Sequence, residues 1–111
     1  MSSVVAPPAT VDVILGLDRD EVPFAKPQSA EAWRRAGGGD LVRYQSRNTF
    51  TVRFRNGSPF TGDVLDGVPS NGTYVAEDRI RDDAELRSYK YDLTVDGKPI
   101  DPEIVVKQDP T

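Results

Sequence analysis

The feature that most constrains this chain is an alternation of apolar and polar side chains with a period of two residues. It is clearest over residues 49–55, where Phe50, Val52 and Phe54 alternate with threonines and arginines. Because successive side chains of a β-strand point to opposite faces of a sheet, this pattern predicts a strand with one buried face. The same pattern predicts further strands at residues 11–17, 41–45, 89–95 and 104–107.

Helical periodicity is confined to one short segment, residues 29–36. Ser29 is a suitable N-cap there, and two alanines and Trp33 form a short apolar face. The glycine run at residues 37–39 ends the segment after one or two turns. We therefore expect at most one short helix.

The segments between the predicted strands are rich in turn residues. Residues 18–27 contain two prolines and are expected to be irregular, with Val22 and Phe24 turned inward, and residues 77–87 are expected to form a loop with a turn. Tight-turn dipeptides occur at Asn56-Gly57, Asp66-Gly67, Asn71-Gly72 and Asp96-Gly97. Short alternating strands between such turns are typical of an all-β fold, which we expect to be a small antiparallel β-sandwich.

Length and patterning favour a single domain. The chain has 111 residues, and no internal repeat or linker divides it. Residues 1–10, which include two adjacent prolines, are expected to form a flexible N-terminal arm, and residues 11–111 one sandwich domain. No long apolar run is present, and the first residues lack the basic and apolar regions of a signal peptide. We therefore expect a cytoplasmic protein.

Two missing residue types exclude much of catalytic and metal chemistry. The chain has no cysteine and no histidine, which excludes disulfides, thiolate nucleophiles, imidazole bases and Cys- or His-ligated metals. Fourteen basic against eighteen acidic residues give a net charge of −4, too mild for a dedicated nucleic-acid binder. We expect a protein that is not an enzyme, holds no cofactor, and binds neither nucleic acid nor a membrane.

Two parts of the sequence are similar to the cupredoxin family. Residues 39–44 read GDLVRY and residues 50–54 read FTVRF. Together they resemble the paired strands of cupredoxins, in which a G-D-x-V-x-aromatic strand precedes a strand that begins at the first copper-ligand histidine. Residues 89–96 read YKYDLTVD and resemble the cupredoxin stretch Y-x-Y-x-C-x-x-H, and residues 104–106 resemble the closing strand.

The copper ligands of that family are missing from this chain. Thr49 or Phe50 stands where the first histidine would lie, Leu93 where the cysteine would lie, and Asp96 near the second histidine position. The methionine position also holds no sulfur. Because a blue-copper site requires thiolate and imidazole ligands, the resemblance implies a metal-free, cupredoxin-like sandwich. An immunoglobulin-like topology is the alternative that the strand pattern leaves open.

The first candidate binding surface is basic. Residues 34–55 contain six arginines against one acid, Asp40. If the strand of Arg43 neighbours the strand of Arg53 and Arg55, the three side chains share the outer face of one sheet. Guanidinium groups fixed on a sheet suit carboxylate or phosphate partners, because each offers a planar fork of donors. The alternative is a solvated strand face whose arginines keep the sheet from pairing with other chains.

The second candidate is Phe60, in the loop at residues 57–62. An exposed phenylalanine in this loop would anchor a partner protein. The alternative is a ring that folds back and closes one end of the sandwich.

Two acidic segments offer carboxylates. Residues 77–85 contain five acids, but Arg79 and Arg81 interrupt them and the cadence of a calcium loop is missing, so we expect a solvated loop and leave cation binding open. Residues 18–21 contain three acids, and no motif identifies an acid–base pair among them. The tyrosines alternate inward and are expected to pack in the core.

These observations favour a non-catalytic protein-interaction or accessory module. Its expected partner is another protein with an acidic surface, contacted through Arg43, Arg53, Arg55 and Phe60. One alternative is a carbohydrate- or small-ligand-binding domain, which a concave pocket holding two acids would indicate. Another is a self-assembling structural subunit whose edge strands pair between copies. The sequence leaves the identity of the partner and the oligomeric state open.

Overall fold

The computed structural model describes residues 9–35 and 38–108, and the greater part of the expected N-terminal arm, residues 1–8, lies outside them. The regular secondary structure of these described residues consists of β-strands, so the predicted all-β class is confirmed. The strands are β1 (Thr10–Leu17), β2 (Pro23–Lys26), β3 (Ser29–Arg34), β4 (Leu41–Ser46), β5 (Phe50–Arg53), β6 (Val64–Asp66), β7 (Val68–Ser70), β8 (Thr73–Arg79), β9 (Ser88–Lys90), β10 (Asp92–Val95), β11 (Lys98–Ile100) and β12 (Glu103–Gln108).

The strands form two layers. The first layer is a five-stranded sheet in the order β2-β1-β4-β8-β7. The second layer combines a four-stranded sheet, β11-β10-β5-β6, with a three-stranded sheet, β3-β12-β9. β9 is followed directly by β10, and β11 by β12, with only one or two residues between the strands of each pair. These connecting residues lie side by side, because Tyr91 N donates to Pro102 O at 3.1 Å. The two smaller sheets therefore act as one layer.

The core lies between the layers and contains the inward positions that the alternation predicts. Fully buried side chains of the first layer face those of the second, and each large apolar group contributes about 1.5–3 kcal/mol when it leaves water. Tyr44 and Tyr91 meet edge to face with ring centroids 5.8 Å apart, which joins the two layers. The principal core residues are Val13, Leu15, Val42, Tyr44, Phe50, Val52, Phe54, Tyr89, Tyr91, Leu93, Val95, Ile104 and Val106.

Two hairpins use turns whose residues require a left-handed backbone. Asn71 and Gly72 join β7 to β8, and Asp96 and Gly97 join β10 to β11. All four residues have positive φ, between 49° and 85°. Two consecutive residues of this kind form the turn that matches the twist of two-residue hairpins, as these dipeptides predict.

The helix expected at residues 29–36 is absent. Ser29–Arg34 is strand β3 instead, paired in parallel with β12 over six residues. Ala30 and Ala32 are buried while Glu31 between them is exposed, so the true period of this segment is two. An isolated helix of one or two turns is unstable, and backbone pairing with β12 replaces its hydrogen bonds. Residues 36 and 37, at the expected end of the helix, lie outside the described residues.

Two other expectations about the loops are wrong. Residues 18–27 contain strand β2, and Val22 and Phe24 are 51 % and 36 % exposed rather than turned inward. The Phe24 ring packs on the outer face instead, over the bare backbone of Gly16. The segment expected to form a loop at residues 77–87 begins with the last three residues of β8.

The sandwich is mixed rather than purely antiparallel. Of the nine strand pairings in the described part of the chain, two are parallel: β1 with β4, and β3 with β12. Between β2 and β4 the chain passes through β3 in the second layer, so β4 enters the first layer from the same end as β1. The strand expected over residues 89–95 is also divided, because the backbone of Tyr91 leaves the three-stranded sheet for the four-stranded one.

Candidate functional site

Arg43 lies on the outer face of the first layer. In β4 it stands opposite Asp12 of β1 and Glu77 of β8. Its Nε donates to Glu77 Oε2 at 2.8 Å, and this hydrogen bond raises the pKa of Arg43. The ion pair orients the two side chains, but it contributes little to the free energy of unfolding because water screens exposed charges.

Arg53 and Arg55 lie on the second layer. β5 pairs with β10 and β6, whereas β4 pairs with β1 and β8. The condition for one shared face is therefore not met, and Arg43 does not share a sheet with the other two arginines. β4 and β5 are consecutive in sequence but form no hairpin, because the residues between them carry the chain from one layer to the other.

Arg53 and Arg55 compete for one carboxylate. Asp92 of β10 stands opposite Arg53 in the register, but its Oδ2 accepts a hydrogen bond from Arg55 Nε. This bond raises the pKa of Arg55. Arg53 is exposed and has no carboxylate within ion-pair distance among the residues described, so its charge is uncompensated.

A shallow depression of about 320 Å³ surrounds the two arginines. The hydroxyl-bearing residues Thr51 and Thr94 stand opposite each other on β5 and β10 and line it together with Asp92. We call this surface, formed by Thr51, Arg53, Arg55, Asp92 and Thr94, the Arg53 face. It offers guanidinium and hydroxyl groups on a rigid sheet, which is chemistry suited to a carboxylate.

The other three arginines of residues 34–55 are distributed elsewhere. Arg34 Nη1 donates to the carbonyl oxygen of Ala84 at 2.8 Å, and Arg35 Nε donates to Asp40 Oδ1 at 3.1 Å. Arg47 is exposed just after β4 and has no ion pair in the described residues. The cluster that looks dense in sequence is therefore dispersed in space.

Phe60 is buried, with 1 % of its surface exposed. Its ring packs edge to face on Phe54 at a centroid distance of 5.6 Å. The loop is fixed from inside, because Ser58 Oγ accepts from Phe60 N at 3.0 Å and Arg81 Nη2 donates to Ser58 O at 2.7 Å. Of the two alternatives for Phe60, the structure therefore shows the second, in which the ring folds back and closes one end of the sandwich. The prediction that Phe60 is an exposed anchor for a partner is wrong.

The acidic segments are dispersed, and three of their carboxylates pair with arginines in the described residues. Glu77 pairs with Arg43, and the Asp83 and Glu85 carboxylates pair with arginines two residues away at 3.7 and 3.5 Å. Asp18 Oδ1 accepts from two backbone amides of its own turn. Within residues 9–35 and 38–108, no three carboxylates are grouped so that they could hold one metal ion.

The positions that the cupredoxin resemblance assigns to copper ligands lie together in space. Phe50 stands opposite Val95, and Asp96 N donates to Thr49 O at 2.9 Å. Leu93 is fully buried two residues before Val95 on the same strand, opposite Val52. The side chains at these four positions are therefore a hydroxyl, a phenyl, an isobutyl and a carboxylate group.

A groove of about 680 Å³ lies on the outer face of the first layer, at its β7 edge. β7 pairs with β8 only as far as Val68, and the chain before it crosses to the second layer, where Asp66 pairs with Thr51. The open space beyond the end of β7 is lined by Arg43, Gln45, Leu65, Asp66, Val68, Ser70, Asn71, Thr73, Val75, Ala76 and Glu77. Sequence reasoning missed this groove, although Asn71-Gly72 marked its hairpin, because β6, β7 and β8 are too short or too irregular to show alternation.

Asp40 is a second feature that the sequence did not reveal. Its carboxylate is fully buried and accepts from Ala9 N and Arg35 Nε on Oδ1 and from Trp33 N on Oδ2, at 3.0 to 3.1 Å. These bonds join β1 and β4 of the first layer to β3 of the second. Asp40 therefore acts in the architecture rather than in binding.

Comparison with known proteins does not add a function. No protein-family model matches the chain, and no curated protein matches it in sequence. Among the residues described there is no helix of the length and apolarity needed to cross a membrane.

Proposed function

We propose that this protein is a non-catalytic interaction module that binds an acidic surface of another protein through the Arg53 face. One observation carries the proposal: Arg53 is an exposed guanidinium on a rigid strand, and the carboxylate opposite it is occupied by Arg55. An arginine held in this way offers its full fork of donors to a carboxylate from outside.

The sandwich that presents this face is, in our proposal, a metal-free relative of the cupredoxins. In support, two of the segments that carry the resemblance, residues 50–54 and 89–96, include the neighbouring strands β5 and β10. Residues 39–44 do not add support, because β4 lies in the other layer and does not pair with β5. The cytoplasmic location expected from the sequence is part of the same proposal. Metal analysis of freshly isolated protein tests the metal-free sandwich, because a stoichiometric transition metal would contradict it.

The binding test compares two charge reversals. The chain serves as bait in extracts of its native cells, as wild type, as Arg53→Glu and as Arg47→Glu, and captured proteins are identified by mass spectrometry. Arg47 is the matched control because it is also exposed and without an ion pair among the described residues, but lies at the end of β4 in the other layer.

We expect Arg53→Glu to lose the partner that both wild type and Arg47→Glu retain. Arg47→Glu should unfold within about 0.5 kcal/mol of wild type, and Arg53→Glu should lose no more than about 1 kcal/mol, because its glutamate stands opposite Asp92. Capture by wild type should weaken as salt is added, since exposed charges are screened. Equal capture by all three proteins would show that the Arg53 face is only a solvated surface.

Binding of a small polar ligand is a second candidate, favoured by one observation. The groove at the β7 edge contains two acids, Asp66 and Glu77. Both already accept hydrogen bonds, from Thr51 Oγ1 at 2.7 Å and from Arg43 Nε. No aromatic ring lines the groove in the described structure, so a stacking platform for a sugar is missing. Ligand-induced shifts of the groove amides in an NMR titration with monosaccharides would support this candidate.

A further inference from the structure

The end of β7 leaves part of β8 without a neighbouring strand. β8 pairs with β4 from Tyr74 to Arg79. On its other side β7 covers only Thr73, Tyr74 and Val75. At the next position Gly67 N donates to Phe50 O at 3.0 Å in the second layer, so the chain no longer follows β8.

The register shows which backbone groups face the vacant side. In an antiparallel pair, every second residue of a strand directs its N–H and C=O to the partner, and the residues between direct theirs away. Ile80 N donates to Asp40 O, so the backbone N–H and C=O groups of Asp78 and Ala76, two and four residues earlier, also point toward β4. The backbone N–H and C=O groups of Glu77 and Arg79 therefore point away from β4.

The β7–β8 hairpin leads to the same assignment independently. In a two-residue hairpin the two residues that flank the turn exchange backbone hydrogen bonds, so the backbone N–H and C=O groups of Thr73 point toward β7. Those of Val75, two residues later, point the same way. Glu77 is the next residue in that series, and no strand lies opposite it in the part of the chain described. Arg79 N donates to Asp78 Oδ1 at 2.8 Å, which leaves the Glu77 amide, the Glu77 carbonyl and the Arg79 carbonyl on the open side.

The groove beside this open edge favours a basic occupant, because the Arg79 guanidinium at the edge donates to Gly39 O at 3.4 Å and does not line the groove. The Glu77 carboxylate is neutralised by Arg43. The exposed Asp66 carboxylate lines the same groove and accepts only a hydroxyl, that of Thr51, in the described structure, so its negative charge is uncompensated. Beside it, Val68 is 62 % exposed and offers apolar contact.

We propose that the open edge of β8 binds an extended segment of a partner protein, which adds antiparallel to β8 in line with β7 and places a basic side chain beside Asp66. The backbone groups at Glu77 and Arg79 supply the hydrogen bonds of strand addition, and the side chains of the groove select the sequence. The backbone groups of this edge belong to β8 of the first layer, whereas Asp66 belongs to β6 of the second layer and accepts from Thr51 of the Arg53 face. The two proposals are therefore separated by probes of the β8 backbone, which the Arg53 face does not contain.

The probe is a blocked, fluorescently labelled peptide of alternating valine and lysine, five residues long, whose binding is followed by fluorescence anisotropy. Two matched peptides serve as controls: one with glutamates in place of the lysines, and one with the same lysines but methylated backbone nitrogens. We expect the basic peptide to bind, and each control peptide to bind at least about tenfold more weakly. Arg53→Glu should leave this binding within about twofold of wild type.

The decisive variant is Glu77→Pro. Proline removes one N–H, and this N–H faces the vacant side, so the pairing with β4 keeps all its bonds. Glu77→Gln removes the ion pair with Arg43 but keeps the amide, and is the matched control. Glu77→Gln leaves Arg43 unneutralised in the groove and should weaken the basic peptide severalfold, and we expect Glu77→Pro to weaken it about tenfold more than Glu77→Gln does. Asp66→Asn should weaken the basic peptide severalfold.

Three results would overturn the proposal. The first is equal binding of the methylated and unmethylated peptides, which stays measurable if Glu77→Pro does not fold. The second is tighter binding of the glutamate peptide than of the lysine peptide. The third is a concentration-dependent dimer in light scattering that Glu77→Pro abolishes, because the occupant of the edge would then be a second copy of this chain.

Discussion

At the scale of single residues, two buried tyrosine hydroxyls are poorly satisfied. Tyr44 and Tyr91 lie in the core with their rings in contact, and neither hydroxyl has a hydrogen-bond partner among the described residues. Burial raises the pKa of both phenols well above the ordinary value, and the neighbouring Tyr91 phenol raises that of Tyr44 further. Each hydroxyl lost water on folding and gained little in return.

The first prediction concerns alkaline pH. The unfolded chain releases these two protons near the ordinary phenol pKa of about 10, whereas the folded protein keeps them, so the unfolded state binds fewer protons at high pH. The free energy of unfolding should therefore be unaffected by this pair at neutral pH and fall as the pH rises above about 10. Urea denaturation at a series of alkaline pH values measures it, with tyrosinate absorbance as a second signal.

Two phenylalanine variants test the cause. Tyr44→Phe removes an unsatisfied hydroxyl, so it should be as stable as wild type or more stable at neutral pH, with a shallower loss of stability in alkali. Tyr89→Phe removes a hydroxyl that donates to Glu85 O at 3.0 Å and should lose about 1 kcal/mol at neutral pH. A larger loss in Tyr44→Phe than in Tyr89→Phe would mean that the Tyr44 hydroxyl has a bonding role.

At the scale of elements, the corner between β6 and β7 is closely packed. A Cβ at Gly67 would lie 2.6 Å from Phe50 Cε2 and 3.0 Å from Tyr74 Cβ. The chain passes from one layer to the other at this corner, and the crossing creates the groove beyond β7. A side chain at Gly67 would push the corner away from the core.

The second prediction compares two alanine substitutions. Gly67→Ala should lose about 1–3 kcal/mol, because the new methyl group overpacks against a buried ring and a backbone-fixed Cβ. Gly62→Ala meets nothing within 4 Å, and should gain up to about 1 kcal/mol by restricting the unfolded chain. Chemical denaturation of both variants measures the difference. Equal stability of the two would contradict the close packing at the corner.

The elements also show what the sequence could predict. Strands such as β4, β5 and β10 bury every second residue, so their alternation was readable, and the dipeptides Asn71-Gly72 and Asp96-Gly97 marked hairpins correctly. β3 was misassigned because Ala30 and Ala32 suit a helix as well as a strand, and only pairing with β12 decides between them. β6 and β7 were missed because strands of three residues are too short to show a period.

At the scale of the whole molecule, the candidate site was less predictable than the strands. The alternation of side chains predicts that Arg53 lies on the outer face of its strand, but it does not predict which strands are the neighbours of that strand. Strand order depends on long-range pairing, and β4 and β5, adjacent in sequence, belong to different layers. The groove at the β7 edge depends on the same information, because it exists only where one strand ends and its neighbour continues.

The whole molecule also depends on one carboxylate that connects the layers. Asp40 accepts from the backbone of Ala9 before β1 and of Trp33 in β3, and from Arg35, with no exposure to water. Three donors converge on two oxygens, and the guanidinium compensates the buried charge. A neutral amide at this position would turn its NH₂ group toward at least one of the donors.

The third prediction is therefore that Asp40→Asn lowers the free energy of unfolding by about 2–4 kcal/mol, although the two side chains have nearly the same shape. The matched control is Asp82→Asn, an exposed site, which should change stability by less than about 0.5 kcal/mol. Trp33, the only tryptophan, reports on the second layer by fluorescence, and far-UV circular dichroism reports on both. Because one core joins the layers, both signals should shift to the same lower midpoint. A fluorescence transition that precedes the dichroism would show β3 detaching alone, and the carboxylate would then support only that strand rather than the joining of the two layers.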